Sequence, residues 1–376
     1  MSQDPGLLRF QDVLGQRSAV ELLQRALKEG RLPHALLFQG PDDVGKGAVA
    51  RTLAAALVCE RNAEGDPCGK CSACRRVAAG THPDVLVVTR LPRKAGTRRD
   101  AEEEDDEEAD GEEASGASAS RRPGTERKRE IVVEQIRELC EHAAYAPREG
   151  RRRVFLVDPA DRMNRAAQNA LLKTLEEPPG RALIVLITAR AHLLLPTVRS
   201  RCLPVRFGPM PVRALADALQ RRGVNAREAL VRAALAGGAP GRALTGDMAA
   251  LRELRDALLS ALEKAASGPA GLADLPALVS AFAPKEDEDA FLERLDLVQA
   301  LLRDAARAVT GDGAGDALLH ADQAVRLRTL GARLGRARLA ALLPALERLR
   351  GDLRFYVNRT LLTESVVAAL AGGPIP

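Results

Sequence analysis

An α/β domain built on a parallel sheet, followed by helices alone, is the fold that this sequence predicts, and three features predict it. Short apolar runs alternate with amphipathic stretches up to about Val205, the pattern of strands buried on both faces and joined by crossover helices. A glycine-rich stretch, Gly40-Pro-Asp-Asp-Val-Gly-Lys-Gly47, stands between the first such run and a helical segment. That is the strand–loop–helix order of a phosphate-binding loop. Beyond Val205 the strand pattern ceases, and Ala/Leu segments broken by Gly and Pro run to the end.

Taken in order, Arg17 to Glu29 places Val20, Leu23 and Leu27 on one helical face. His34-Ala-Leu-Leu-Phe38 is a buried strand entering the glycine loop, and Gly47 to Val58 continues as an Ala/Leu helix. A cysteine-rich stretch follows. Thr81-His-Pro-Asp84 then leads into a second strand, Val85 to Val88. From Leu91 to Arg129 the hydrophobic periodicity is lost and Glu, Asp, Gly, Ser and Arg dominate. Such a composition cannot bury enough apolar surface to order itself, so a disordered insertion is expected. Ile131 to Ala144 reads as a helix, Arg153 to Val157 as a third strand ending at Asp158, and Ala166 to Glu177 as a helix stopped by Pro178-Pro179. Ala182 to Thr188 is the fourth strand.

A chain of 376 residues suffices for two or three domains. Aromatic residues are 2% and Trp is absent, so the cores must be built from Leu, Ala and Val. The net charge of +5 conceals a split: Asp100 to Glu113 holds eleven acidic residues and no basic one, which leaves +16 on the rest. A basic body of this kind suits nucleic acid or acidic partners, and equally suits a solvated arginine-rich surface. The N-terminus MSQDPGLLRF lacks the basic and apolar regions of a leader peptide, and no apolar run reaches membrane-spanning length. A cytoplasmic, reducing setting is therefore expected, in which clustered cysteines bind metal rather than pair as disulfides.

Cys59, Cys68, Cys71 and Cys74 form that cluster, the last three within CGKCSAC. Paired Cys-x-x-Cys turns bring thiolates onto one tetrahedral zinc, although an iron–sulfur cluster uses similar spacing. Since four thiolates fill a tetrahedron, the metal is expected to be structural, and His82 reads as a polar loop residue rather than a ligand. Cys140 and Cys202 have no partner in the sequence and read as free thiols.

The glycine loop matches G-x-x-x-x-G-K-[ST] at Gly40, Gly45 and Lys46 but not at its last position, where Gly47 replaces the hydroxyl that would hold magnesium. Asp42 and Asp43 add negative charge to a loop that would face a polyanion. ATP binding is thus expected to be weak or absent, with the loop kept for its turn. Asp158 ends its strand where a magnesium-binding carboxylate would stand. Pro159 takes the place of the carboxylate that would polarise water, and Asp161 reads as a capping or surface residue.

Asn169-Ala-Leu-Leu-Lys-Thr-Leu-Glu-Glu-Pro-Pro179, followed by Ser200-Arg201-Cys202, resembles the AAA+ subunits of DNA clamp loaders. The cysteine module, the THPD motif and the damaged phosphate loop point to the accessory kind found in the bacterial DNA polymerase III complex. The resemblance covers Phe10 to Phe207 well and the helical remainder loosely, where Asn358 to Glu364 matches a C-terminal helix pattern. It implies an AAA+ domain over 1–206 with a zinc module at 59–74 and the insertion at 91–129. A helical lid over 207–248 and a helical collar for oligomerisation over 249–376 would follow. It favours zinc over iron–sulfur.

The resemblance also implies that Arg201 is an arginine finger acting in trans on a neighbour's ATP, where a guanidinium offsets charge developing in the transition state. From spacing alone Arg201 reads as a structural ion pair. Thr188 and Arg242 fall at sensor positions of the degenerate nucleotide site. Lys173, Glu176 and Glu177 would belong to an intersubunit surface rather than being ordinary surface charge. The partners implied are other clamp-loader subunits, with the sliding clamp and primed DNA reached through the complex, and no membrane. Any nucleotidyltransferase activity would belong to the holoenzyme. Two alternatives stand: an active tau/gamma-type ATPase of the same group, opposed by Gly47 and Pro159, and a zinc-dependent DNA-binding protein, opposed by the scarcity of aromatic stacking residues.

Overall fold

A computed structural model describes residues 9–61, 65–90, 130–268, 275–282, 288–310, 318–352 and 359–374. The insertion expected at 91–129 lies outside the described residues. The chain divides into two compact units: Met1–Val13, Arg17–Asp42 and Lys46–Phe207 form one, and Leu14–Gln16, Asp43–Gly45 and Gly208–Pro376 the other.

The first unit is a parallel α/β fold. Helix α1 (Arg17–Lys28) precedes strand β1 (Ala35–Gln39), and the loop after β1 leads into α2 (Lys46–Val58). A short α3 (Ser72–Ala78) crosses to β2 (Val85–Val88), and α4 (Val133–Ala144) to β3 (Arg153–Val157). Helix α5 (Arg165–Glu176), β4 (Ala182–Thr188), α6 (Pro196–Arg199) and β5 (Leu203–Arg206) complete it. The sheet order is β2-β3-β4-β1-β5 and every described pairing is parallel. β1, β3 and β4 are the central strands, and β3 and β4 are buried along their whole length. Because side chains alternate across a strand, Ala35, Leu37, Phe155, Val157, Ile184 and Leu186 share one face. They pack with Ile136 and Leu139 of α4 and Leu171 and Leu175 of α5. Full burial of such a leucine contributes roughly 2 kcal/mol.

Strand β5 is not among the strands the sequence pattern predicts. Its Leu203 and Pro204 are exposed, so it lacks the continuous apolar run of the interior strands. Proline donates no ladder hydrogen bond and is tolerated here because β5 is the edge of the sheet. The topology places the ends of β1, β3 and β4 side by side. Gln39 pairs with Thr188, Val157 pairs with Leu186, and the Gly40 N–H donates to the Thr188 carbonyl at 3.3 Å.

The second unit contains only helices among the described residues: α7 (Val212–Arg221), α8 (Ala226–Leu235), α9 (Pro240–Thr245), α10 (Met248–Ala265), α11 (Leu275–Phe282), α12 (Glu288–Thr310), α13 (Ala324–Leu334), α14 (Arg336–Asp352) and α15 (Arg359–Leu370). Leu215, Leu219, Ala229 and Ala233 centre one small core, against which Leu14 and Met210 pack. Gln16 ties that segment in, donating to the carbonyls of Val44 at 3.0 Å and Gly208 at 2.7 Å. A larger core joins Leu258, Leu262, Leu301, Leu330, Leu342 and Val367. At Gly331 a Cβ would lie 2.4 Å from the Ala305 carbonyl, so only glycine lets α12 and α13 pack this closely. No helix among the described residues is long and apolar enough to cross a membrane.

Candidate functional site

The glycine loop is satisfied from within. Lys46 opens α2 and is 6% exposed. Its ammonium donates to the carbonyl of Gly40 at 2.7 Å and to that of Pro41, and lies 3.9 Å from the Asp42 carboxylate. The loop's backbone bends sharply. Gly40 has φ 153°, and a Cβ there would fall 2.1 Å from the Phe207 carbonyl. Gly45 has φ 103°, and Asp43 takes φ 58° without being glycine.

Asp158, at the end of β3, faces the first turn of α2. A Cβ on Gly47 would lie 3.3 Å from its Oδ2 and 3.7 Å from a guanidinium nitrogen of Arg51. Burial pushes the Asp158 carboxyl up, opposed by the positive charges of Lys46 and Arg51. Lys46 and Arg51 are the cations whose charge acts on Asp158, and no hydroxyl stands at position 47 beside them. Sequence reasoning passed over Arg51 because it falls on a mostly apolar helix, past the last position of the glycine-loop motif.

Thr188, at the end of β4, is fully buried and already engaged. Its hydroxyl donates to Asp161 Oδ1 at 2.6 Å and accepts from the Arg190 N–H at 2.9 Å. Arg190 closes the triangle, with its guanidinium 2.9 Å from Asp161 Oδ2. Asp161 is therefore neither a surface residue nor a cap. It is a buried carboxylate, stable because a guanidinium and a hydroxyl both meet it. The expectation failed because the partners come from the end of β4, far along the chain.

Gly40, Lys46, Asp158 and Thr188 thus gather at one end of the sheet. Arg242 belongs to the second unit, where it pairs with Asp43 at 3.5 Å and Glu293 at 3.1 Å. The Gly241 N–H in the same unit donates to the Asp43 carbonyl at 2.7 Å, which helps hold Asp43 at its positive φ.

Arg201 follows α6 and is half-buried. Its guanidinium donates to the Thr197 carbonyl at 2.9 Å and meets Glu176 Oε1 at 2.5 Å. The neighbouring Cys202 is buried in the core with Val198 and Leu175, and burial pushes its thiol up to about 12. Cys202 packs as expected. Glu176 pairs with Arg201 across two elements. Cys140 is half-buried, with its thiol 3.8 Å from the Ala170 carbonyl.

The four cysteines of the module converge. All their Sγ atoms lie within 4.8 Å of one another, with Cys59 to Cys71 at 3.9 Å and Cys68 to Cys74 at 4.0 Å. A zinc with Zn–S bonds near 2.3 Å sets tetrahedral sulfur–sulfur edges at about 3.8 Å, so the arrangement fits one ion. A multi-iron cluster would divide the thiolates among two or more irons and spread the sulfurs apart. Backbone N–H groups of Cys68, Cys71 and Cys74 each donate to the sulfur of the preceding cysteine at 3.4 Å. Hydrogen bonds from Lys70 and Cys71 hold the Cys68 thiol down to about 6. Burial pushes Cys59 and Cys74 up, a cost that a dication reverses. His82 stands outside this cluster. It is buried, and its Nδ1 accepts the Asp84 N–H at 3.1 Å. Burial, then the Arg76 charge, lowers its pKa.

One structural anchor escaped the sequence reading. Asp84 is fully buried and accepts from the N–H groups of Arg148 at 2.7 Å, Glu149 at 2.8 Å and Gly150 at 2.7 Å. The THPD motif, which Asp84 closes, was the available signal.

Known proteins resemble this chain along most of its length. The family described as DNA polymerase III, delta subunit, matches residues 15–211, and the one described as its C-terminal part matches residues 250–370. DNA polymerase III subunit delta' of Pseudomonas aeruginosa is 36% identical over 236 residues, 61% of this chain and 61% of that protein. DNA polymerase III subunit tau of Escherichia coli is 32% identical over 211 residues, 56% of this chain and 27% of that one. The matched segments therefore span less than two thirds of either relative. A solved gamma subunit-related protein from Thermotoga maritima aligns over 93% of this chain and 98% of its own at 19% identity, with a TM-score of 0.31.

Proposed function

The chain belongs to the DNA polymerase III delta-subunit family, and on that premise we propose that it is an accessory subunit of a clamp loader that does not itself hydrolyse ATP. Its own loop offers no hydroxyl at Gly47, no water-polarising carboxylate at Pro159, and a Lys46 engaged by the loop's own carbonyls. The observation that carries this reading is the surrounding of Asp158. The charges of Lys46 and Arg51 act on this carboxylate, and Gly47 beside it offers no hydroxyl with which it could share magnesium.

In this reading Arg201 works in trans. Two of its N–H groups are fixed by Thr197 and Glu176, and a guanidinium has five, so donors remain for the terminal phosphate of ATP on an adjacent motor subunit. That cation stabilises charge only as it develops, which raises turnover rather than ground-state binding. Cys59, Cys68, Cys71 and Cys74 would hold a structural zinc, which would tie α3 to the end of α2 and leave no position open for catalysis. The helices of residues 249–376 would form the collar with other subunits, and residues 207–248 the lid. Contact with the sliding clamp and primed DNA would come through that assembly, in the cytoplasm.

The test is steady-state ATP hydrolysis by the complex reconstituted with its natural partner subunits, beside the isolated chain. The isolated chain should show no magnesium-dependent turnover. With Arg201→Ala, the assembled complex should lose about 10²-fold or more in kcat while still assembling. Wild-type turnover from the Arg201→Ala complex would return Arg201 to a purely structural role.

A further inference from the structure

We propose that Glu176 is the positioning residue for Arg201: its carboxylate sets the direction in which the guanidinium projects, and so sets the turnover of the neighbouring site. The inference rests on the reading of Arg201 as a trans-acting group. Its observation is separate: a carboxylate–guanidinium contact joins residues on two different elements.

Glu176 is the last residue of α5 and Arg201 follows α6. Each sits one position away from a core anchor. Leu175 and Cys202 are buried in the same apolar cluster, and Val198 of α6 lies with them. The two backbones carrying the pair are therefore fixed relative to each other by packing that neither charge supplies. The pair itself stands outward: the Glu176 side chain is 49% exposed and that of Arg201 34%. This is the layout of a preorganised group, with a rigid base and a polar tip held by a second residue.

A free arginine side chain samples many rotamers, and holding it at one geometry removes that freedom before the reaction begins. The Thr197 carbonyl alone gives one point of attachment, about which the guanidinium can still swing. Glu176 gives the second, on the other terminal nitrogen. Two points define the plane of the guanidinium, and a planar donor set is what distinguishes arginine from a point charge. Glu176 does not touch the phosphate in this scheme. Its negative charge would oppose that contact, so its benefit must lie in orientation.

The experiment is steady-state ATP hydrolysis by the reconstituted complex with Glu176→Ala, Glu176→Gln, Arg201→Ala and the double variant. Glu176→Ala should lower kcat about tenfold and leave the KM for ATP unchanged, because only the transition-state contact is disordered. Glu176→Gln keeps an acceptor oxygen and should recover part of that loss. The double variant should be no slower than Arg201→Ala alone, since Glu176 acts only through Arg201. A Glu176→Ala complex at wild-type turnover, with Arg201→Ala slow, overturns the inference and leaves the trans reading standing. So does a double variant slower than Arg201→Ala by the full Glu176→Ala factor, or an effect on KM alone. Wild-type turnover with Arg201→Ala fails the trans reading itself. Should Glu176→Ala not assemble, the Glu176→Gln complex and its double variant give the same comparison.

Discussion

Asp84→Asn should be among the most damaging near-isosteric changes available in the α/β unit. The carboxylate is fully buried and answers three consecutive backbone N–H groups, those of Arg148, Glu149 and Gly150. The buried Arg153 guanidinium lies 3.6 Å away. Asparagine fills the same space but has one acceptor oxygen. If that oxygen keeps the Arg148 N–H, the amide NH2 points at the N–H groups of Glu149 and Gly150, donor against donor, and Arg153 loses its counter-charge. Removing one member of such a buried charged cluster costs about 3–5 kcal/mol. For a unit of this size each kcal/mol lowers Tm by about 2–4 °C, so the unit's transition should fall by roughly 6–20 °C.

Burial alone would raise the Asp84 carboxyl, but the three N–H donors outweigh it and hold its pKa below the ordinary value. A depressed folded-state pKa gives stability that is complete above the unfolded value, about 3.9, and is lost as pH falls through the folded value. The gap between wild type and Asp84→Asn should accordingly be constant from neutral pH to about pH 5 and shrink in stronger acid. Urea denaturation followed by circular dichroism at several pH values measures both the size and the trend. A loss under about 1 kcal/mol, or a gap that widens in acid, would refute the assignment of Asp84 as the anchor of this turn.

Two further outcomes are expected. The chain purified without chelator should carry about one zinc by elemental analysis. Stripping that metal, or Cys74→Ser, should lower the melting temperature of the first unit while its sheet persists; metal-free protein from a zinc-replete preparation would contradict the site. Gly40→Ala should destabilise by several kcal/mol, because its Cβ would meet the Phe207 backbone carbonyl at 2.1 Å. Gly45→Ala, with nothing within 4 Å, should cost only the positive-φ strain of about 1–2 kcal/mol. Equal losses in thermal melts of the two variants would show that contact at Gly40 is not what matters.

Much of the first unit was legible because its signals are local. Strands β1 to β4 are apolar on both faces, so four to six consecutive apolar residues mark each one, and the spacing of the four cysteines marks a metal-binding cluster. What escaped depends on contacts between distant segments. β5 has an exposed Leu203 and Pro204 and exists only because β1 offers it an edge. Asp161 looked like a surface residue until Thr188 and Arg190 met it from the end of β4. Glu176 and Arg201 stand on either side of β4 in the sequence, and nothing in the spacing shows that the chain returns to bring them together. Asp84 could be noted as part of THPD, but its three partners lie more than sixty residues away.

The survival of a phosphate-loop sequence in a chain that lacks the hydroxyl and the water-polarising carboxylate has a physical reason in the backbone. Gly40 donates to Thr188 and must approach Phe207 more closely than any side chain permits. Gly45 takes a left-handed conformation that residues with a Cβ adopt only at a cost. Lys46 satisfies the carbonyls of Gly40 and Pro41, which would otherwise be poorly met in a half-buried turn. Every residue of the motif that remains has a structural task without nucleotide. Gly47 is the position whose side chain would serve only magnesium, and it is where the motif fails. Replacing Lys46 should then weaken folding of the turn rather than any catalysis by this subunit, which separates retention of a fold from retention of an enzyme.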